Sequence, residues 1–167
     1  MTKAKGNEGV ATLRTGVLTC SDTRDESDDT AGAALRRMCE ERGWEVAAYR
    51  VCSDDRDCVS AILQEWADEE GLDVILTCGS TGLGPRDVAP EATADVCDRE
   101  VPGIAEAIRS MSLAITGRAM LSRARAGTRG TTLIINLPGS EKGAVESFGF
   151  VAEQLEHAVE MMAGGGH

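Results

Sequence analysis

Apolar positions recur along the chain with two different periods. Positions 12–13 and 16–19 (TL and GVLT) read as a buried strand, and the polar stretch SDTRDESDD after it reads as a loop. Helical spacing follows, with Asp28 or Asp29 placed to cap the first turn and Gly43 placed to end it. Residues 44–51 predict a second strand, and residues 53–57 a turn that caps a helix from about Cys58 to Glu70, broken at Gly71. The run LDVILT, Leu72–Thr77, is short and continuously apolar, as in parallel strands covered on both faces. After a glycine-rich loop, Pro90–Val96 and Gly103–Leu113 carry helical spacing, Thr131–Leu137 is the last strong strand, and a final helix is expected from Gly143 to Met162. Strands alternating with helices at this interval imply βαβ units. The expected fold is therefore α/β, a three-layer α/β/α sandwich with a mostly parallel sheet. One domain is expected over residues 10–163, with flexible tails at 1–9 and 164–167.

Composition narrows the possibilities. No stretch approaches the roughly 20 apolar residues of a membrane helix. The start, MTKAKGNEGVA, lacks the apolar segment of a secretory signal, so a cytoplasmic protein with no membrane partner is expected. Six cysteines, at 20, 39, 52, 58, 78 and 97, include no CxxC pair and no Cys/His zinc spacing, which predicts reduced, mostly buried thiols. A net charge of -11 argues against nucleic acid, which needs a positive field. The charge is uneven, however: from Arg109 to Lys142 six cations (Arg109, Arg118, Arg123, Arg125, Arg129, Lys142) face one anion, Glu141. Such a segment either receives a small anionic ligand or is a solvated face or subunit contact.

Ligands of open α/β sheets bind beyond the carboxyl ends of the strands, so the loops leaving the strands carry the chemistry. In CGSTGLGPRD, Gly79, Gly82 and Gly84 let the backbone turn tightly and aim several N–H groups at one anion. The loop is neither a Walker A sequence nor a GxGxxG fingerprint, and on its own a glycine-rich turn after a strand is more often structural. Asp87 tips the reading, because a carboxylate beside a phosphate calls for a cation between them. Mg2+ binds through one or two carboxylates plus phosphate oxygens. Asp54, leaving a neighbouring strand end, is a second candidate ligand and equally a helix N-cap. In NLPGSEKG, Ser140 and Lys142 stand near a helix start, where hydroxyl, ammonium and helix dipole can hold an anion; a plain type II turn is the alternative.

Together, LTCGSTGLGPRDVAPEAT, DREVPGIAEAIR, LSRARAGTRG and TLIINLPGS, in that order, resemble the MogA/MoaB molybdopterin-binding family and the G domain of gephyrin, from Leu13 to about Met161. The resemblance implies a homotrimer or hexamer and Mg-ATP-dependent adenylylation of molybdopterin with release of pyrophosphate. Mg2+ is then the cofactor, ATP and molybdopterin are the substrates, and a molybdenum insertase receives the product. By position, Asp54 and Asp87 match the two aspartates associated with catalysis and magnesium. Gly79, Ser80, Thr81 and Gly82 match the GGTG loop that holds nucleotide phosphates, and Glu91 the PEA segment. Toward the pterin, Ser21 and Asp22 match the SD pair, Asp29 and Gly32 the DxSG element, and Pro138, Gly139, Ser140 and Lys142 the PGS segment. Catalysis would rest on positioning and charge stabilisation, leaving Cys78 chemically idle. The chain departs from the pattern at Ser80 (Gly in the family), Ala31 (Ser), Ser53 (Pro) and Cys78; a non-glycine residue at 80 predicts a negative φ there. Two alternatives remain. One is a non-catalytic molybdopterin-binding or trimeric scaffold protein of the MoaB type, against which the retained aspartates and the lack of a second domain count. The other is a relative of the CinA N-terminal domain, whose downstream regions are missing.

Overall fold

The computed structural model describes residues 12–165; the tail expected at 1–9 lies outside them, as do residues 166–167. In chain order the elements are β1 (Arg14–Cys20), α1 (Thr30–Glu41), β2 (Glu45–Cys52), α2 (Arg56–Asp68), β3 (Val74–Cys78), α3 (Ala89–Val96), β4 (Arg99–Glu100), α4 (Pro102–Leu113), β5 (Ala126–Arg129), β6 (Thr132–Leu137), α5 (Glu141–Val151) and α6 (Leu155–Met162). They build a six-stranded sheet in the order β2-β1-β3-β6-β5-β4. The first four strands of that order run parallel, while β5 is antiparallel to both β6 and β4.

Helices cover both faces because the central strands are mostly apolar and buried along their length, and alternate side chains go to opposite layers. Val17, Val74, Leu76, Leu133 and Ile135 pack with Leu35 of α1, Ile108 of α4, Phe148 of α5 and Leu155 of α6. Leu18, Ile75 and Ile134 point the other way and pack with Leu63 and Trp66 of α2 and Ala92 of α3. Gly16 is required under this second layer: a Cβ there would stand 2.7 Å from Leu72 and 2.8 Å from Trp66. The result is the α/β/α sandwich expected from the alternation.

Two details differ from expectation. Two short strands, β4 and β5, extend the sheet antiparallel to its body. Neither has an apolar run, and Gly127 is needed where they meet, since a Cβ would lie 2.6 Å from Cys97 Sγ and 2.8 Å from Arg99 O. The final helix is interrupted by a 3-10 turn at Ala152–Gln154. Phe148, Val151, Ala152 and Leu155 nonetheless remain buried on one face, so the apolar spacing carries no trace of the tighter turn. At the chain end Gly164, at φ 85°, turns the backbone so that its N–H and that of Gly165 reach Met161 O and Glu160 O.

Sheet topology also fixes where a ligand can sit. From β1 the chain moves outward to β2, and from β3 it moves toward β6, so the strand order reverses direction between β1 and β3. Such a reversal leaves a crevice at the carboxyl ends of the two strands, flanked here by the loops after Cys20 and Cys78.

Candidate active site

The loop after β3 is held in a strained but well-supported shape. Gly79 has φ 93°, and a Cβ on it would stand 2.4 Å from Cys20 O, so the β1 and β3 loops touch through backbone alone. Ser80 has φ 62°, contrary to the negative value expected for a non-glycine. A left-handed residue of this kind costs about 1–2 kcal/mol. Three hydrogen bonds offset that cost: Val88 N–H donates to Ser80 Oγ at 2.8 Å, Ser80 Oγ–H donates to Arg86 O at 3.1 Å, and Ala89 N–H donates to Ser80 O at 3.1 Å. A glycine here would lose the first two. Asp87 closes the loop tip by accepting from Gly84 N–H at 2.8 Å while its own N–H donates to Gly84 O.

Asp54 leaves β2, which borders β1 rather than β3, so the β1 loop lies between the two predicted aspartates. Asp22 in that loop links them. Its N–H donates to Asp54 Oδ2 and the Asp54 N–H donates back to Asp22 Oδ1, both at 3.0 Å. Arg86, next to Asp87 in the chain, forks onto Asp22 with two bonds of 2.9 Å. The helix-cap role considered for Asp54 belongs to Asp55, which accepts from Cys58 N–H at 2.8 Å.

Two adjacent carboxyls are thereby driven in opposite directions. The Arg86 fork, aided by the Asp54 N–H, holds Asp22 below its usual range. Burial pushes Asp54 above its usual range, and the negative charges of Asp22 and Asp87 add to the rise, while the nearby Ser80 hydroxyl and the Asp22 N–H oppose it. The chain of bonds from Arg86 to Asp22 and from Asp22 to Asp54 puts Asp87, next to Arg86, on the same side of the molecule as Asp54. Among the described residues Asp54 Oδ1 is buried with no hydrogen-bond partner, a condition a bound cation relieves. No three His, Cys, Asp or Glu side chains among the described residues converge as a metal centre made of protein ligands alone.

The β6 loop completes the crevice. Arg24 Nη1 donates to Gly139 O at 2.7 Å, and a Cβ on Gly139 would stand 3.1 Å from Gly79 Cα, so all three loops are in contact. Ser140 caps α5 by accepting from Gly143 N–H at 3.1 Å. Lys142 is exposed, 3.9 Å from Glu146. Thr81, Gly82, Pro138, Ser140 and Gly143 line a cleft of about 420 Å³ whose far wall carries Arg109, Ser112, Thr116, Arg118 and Ser122. The remaining predicted residues lie elsewhere: Ser21 Oγ accepts from Thr23 N–H and Arg24 N–H within its own loop, and Asp29 and Gly32 sit beneath that loop at the start of α1. Glu91 is engaged by Arg123.

The cysteines are all unpaired, and four of them are buried. Burial pushes the Cys78 thiol up to about 12, which removes it as a nucleophile.

A family model described as "Probable molybdopterin binding domain" matches residues 15–157. The chain belongs to this molybdopterin-binding family. It shares 35% identity over 157 residues with the molybdopterin adenylyltransferase of Helicobacter pylori, covering 92% of this chain and 89% of that one. Identity to the molybdenum cofactor synthesis protein cinnamon of Drosophila melanogaster is 41% over 150 residues; the match covers 88% of this chain and 25% of cinnamon's length. The crystal structure of the molybdopterin biosynthesis enzyme MoaB from Thermus thermophilus superimposes with a TM-score of 0.85 at 50% identity, covering 92% of this chain and 98% of that one. Membership ties the chain to molybdenum cofactor biosynthesis.

Against the sequence expectations for this molybdopterin-binding domain, the basic segment divides its labour. Arg123, Arg125 and Arg129 each pair with an acid (Glu91, Glu100 and Asp68), whereas Arg109 and Arg118 line the cleft. Arg86, Arg109, Arg118 and Arg123 were not singled out as site residues. The RD of GPRD and the basic run itself were the available signals, but only the fold says which arginine faces the crevice. No helix among the described residues is long and apolar enough to cross a membrane.

Proposed function

We propose that this protein adenylylates molybdopterin, using Mg-ATP and releasing pyrophosphate. The observation that carries the reading is Asp54, whose buried Oδ1 has no partner and which is bonded through Asp22 to the β1 loop, itself in contact with the glycine-rich turn that carries Asp87 and with the β6 loop. The molybdopterin adenylyltransferase named among the relatives supports it. Asp54 and Asp87 would hold the metal, which supplies neutralisation of the triphosphate when bound; with only two carboxylates, the remaining ligands are phosphate oxygens and water. Ser80, Thr81 and Gly82 present backbone amides to the nucleotide phosphates, while the Gly79 N–H is held by Leu137 O and its tight turn sets the loop; Glu91 positions that loop through Arg123. Ser140 at the start of α5, with Pro138, Arg109 and Arg118, lines a cleft suited to the pterin phosphate, and Gly139 and exposed Lys142 lie on the same β6 loop and helix start. Ser21 and Asp22 belong to the β1 loop, which reaches the β6 loop through Arg24, while Asp29 and Gly32 support the β1 loop from below. The reaction then needs alignment of the pterin phosphate oxygen with the α-phosphorus. That oxygen forms the new bond as the bond to the β-phosphate oxygen breaks, and no protein nucleophile takes part. A cytosolic location, a trimer or hexamer and hand-over to a molybdenum insertase belong to the same reading.

The test is direct: purified protein with molybdopterin and Mg-ATP should yield adenylylated pterin and pyrophosphate in equal amounts. A second reading, a MoaB-type binder without turnover, is favoured by the Arg86 fork, which occupies Asp22 at the metal edge. Pterin binding without product would establish it.

Asp54 also sets a pH dependence. Its folded pKa is raised, so protonation persists above the ordinary aspartate value of 3.8, and metal binding needs the ionised form. The acid limb of kcat/KM for Mg-ATP should therefore have its midpoint above 3.8. The same shift means that the folded state holds this proton more tightly than the unfolded chain does. Asp54 thus favours folding at low pH and loses that contribution as pH rises through its folded pKa. Asp54→Asn should raise the melting temperature at pH 7 while lowering activity; a fall in both would show that the carboxylate is not desolvated at a cost.

A further inference from the structure

We infer that Arg123 is the positioning residue that turns the amides of the glycine-rich loop toward the nucleotide phosphates, an inference that rests on the function proposed above. Arg123 lies just before β5, far along the chain from the loop, yet it holds the loop at three points and the first turn of α3 at a fourth. Its backbone N–H donates to Thr81 O at 2.9 Å, Nε donates to Gly82 O at 2.7 Å, Nη2 donates to Asp87 O at 2.8 Å, and Nη1 pairs with the Glu91 carboxylate. A guanidinium is the one side chain with enough donors in a rigid fork to reach three separate acceptors at once.

The consequence follows from peptide geometry. In a trans peptide the N–H points opposite to the preceding carbonyl. With Thr81 O and Gly82 O both drawn toward Arg123, the N–H groups of Gly82 and Leu83 project away from it, and among the described residues neither has an internal acceptor. Two consecutive free amides on one side of a turn form an anion-binding concavity. Thr81 and Gly82 line the cleft on that loop, and Leu83 is exposed at its tip. Arg123 also fixes the carbonyl of Asp87, and through Glu91 it joins the loop to the first turn of α3. Its donors are spent on this frame: Nε, Nη1 and Nη2 are each engaged by the loop or by Glu91.

The experiment follows the backbone amide signals of Gly82 and Leu83 by NMR while wild type and Arg123→Ala are titrated with Mg-ATP, alongside kinetics. In wild type these two signals should move saturably. In Arg123→Ala the Leu83 signal should no longer respond, whereas Gly82, whose preceding carbonyl is still held by the main-chain N–H of residue 123, keeps part of its response; signals of Ser140 and Gly143 keep responding to pterin, and KM for ATP should rise about 10- to 100-fold, with KM for pterin little changed. Methylguanidinium in the buffer should restore part of the ATP affinity, a rescue that a merely structural lesion would not show. Should Arg123→Ala fail to fold, Arg123→Lys, which keeps the charge but loses the fork, should show the same KM split. Unchanged loop shifts and unchanged KM for ATP in a folded variant overturn the inference while leaving the proposed function intact. A wild type whose loop amides ignore Mg-ATP overturns both.

Discussion

Asp87→Ala is expected to lower adenylylation by about a thousandfold or more, the loss typical of removing a charge-stabilising group from a reacting centre. Stability should hardly change, because Asp87 is only half-buried and its carboxylate accepts a single bond, from Gly84 N–H. Losing that bond costs about 1 kcal/mol. The loop is held independently by Arg123 at the Asp87 carbonyl, by the Asp87 N–H to Gly84 O, and by the Ser80 bonds to Val88 and Arg86. Turnover is read as adenylylated pterin formed, and folding as the thermal midpoint. Asp87→Asn separates charge from shape: its side-chain oxygen can still cap Gly84, yet it brings no negative charge to a cation. If the Asn variant retains most of the activity, Asp87 is a loop brace and the metal assignment is wrong; if it is as slow as the Ala variant, the charge is what matters.

The parallel body of the sheet was legible because its strands are buried on both faces. VILTC and TLIINL are buried at every position and mostly apolar, and runs of that kind have few other readings. The antiparallel edge was not legible. Arg99–Glu100 is exposed on both residues and carries no pattern, and Ala126–Arg129 contains a glycine that serves packing against Cys97 rather than a turn. A hint lay in the two-residue connection Gly130-Thr131 between β5 and β6, since a short glycine-bearing link ahead of a strong strand is a hairpin signal.

The site was legible one loop at a time, but its wiring was not. Glycine spacing marked the phosphate loop, and Asp87 within it was a local observation. That Asp22 bridges the aspartate regions, and that Arg86 engages it, depends on the order β2-β1-β3, which places the β1 loop between the other two. Ser80 shows the limit of rules applied to one residue. A non-glycine at a left-handed position is unfavourable in isolation, yet hydrogen bonds from residues six to eight positions further along hold it there. Arg123 is the extreme case: nothing local distinguishes it from Arg125, two residues on, which pairs with exposed Glu100.

Asp29→Ala is expected to destabilise the fold by about 3–5 kcal/mol, as when one partner is removed from a buried charged network. Asp29 is only 3% exposed and accepts three bonds: from Thr19 Oγ1–H at 2.6 Å, Tyr49 O–H at 2.7 Å and Gly32 N–H at 3.0 Å. The last of these caps α1, and the first two tie that helix to β1 and β2. Each bond to a charged acceptor is worth about 1.5–3 kcal/mol, and the three do not add in full because Thr19 retains a contact to Cys78. Gly32 is glycine for the same reason: a Cβ there would lie 2.0 Å from Asp29 Oδ2. In a domain of this size the loss corresponds to a fall in melting temperature of about 10 °C or more. Urea unfolding should show a lower midpoint at an unchanged slope, since the unfolded chain is little altered. Asp29→Asn keeps an oxygen for the cap and one hydroxyl, so its loss should be smaller. The contrary result is a variant that unfolds at the wild-type urea concentration yet binds molybdopterin poorly. That would move Asp29 out of the framework beneath the β1 loop and into the pterin site itself.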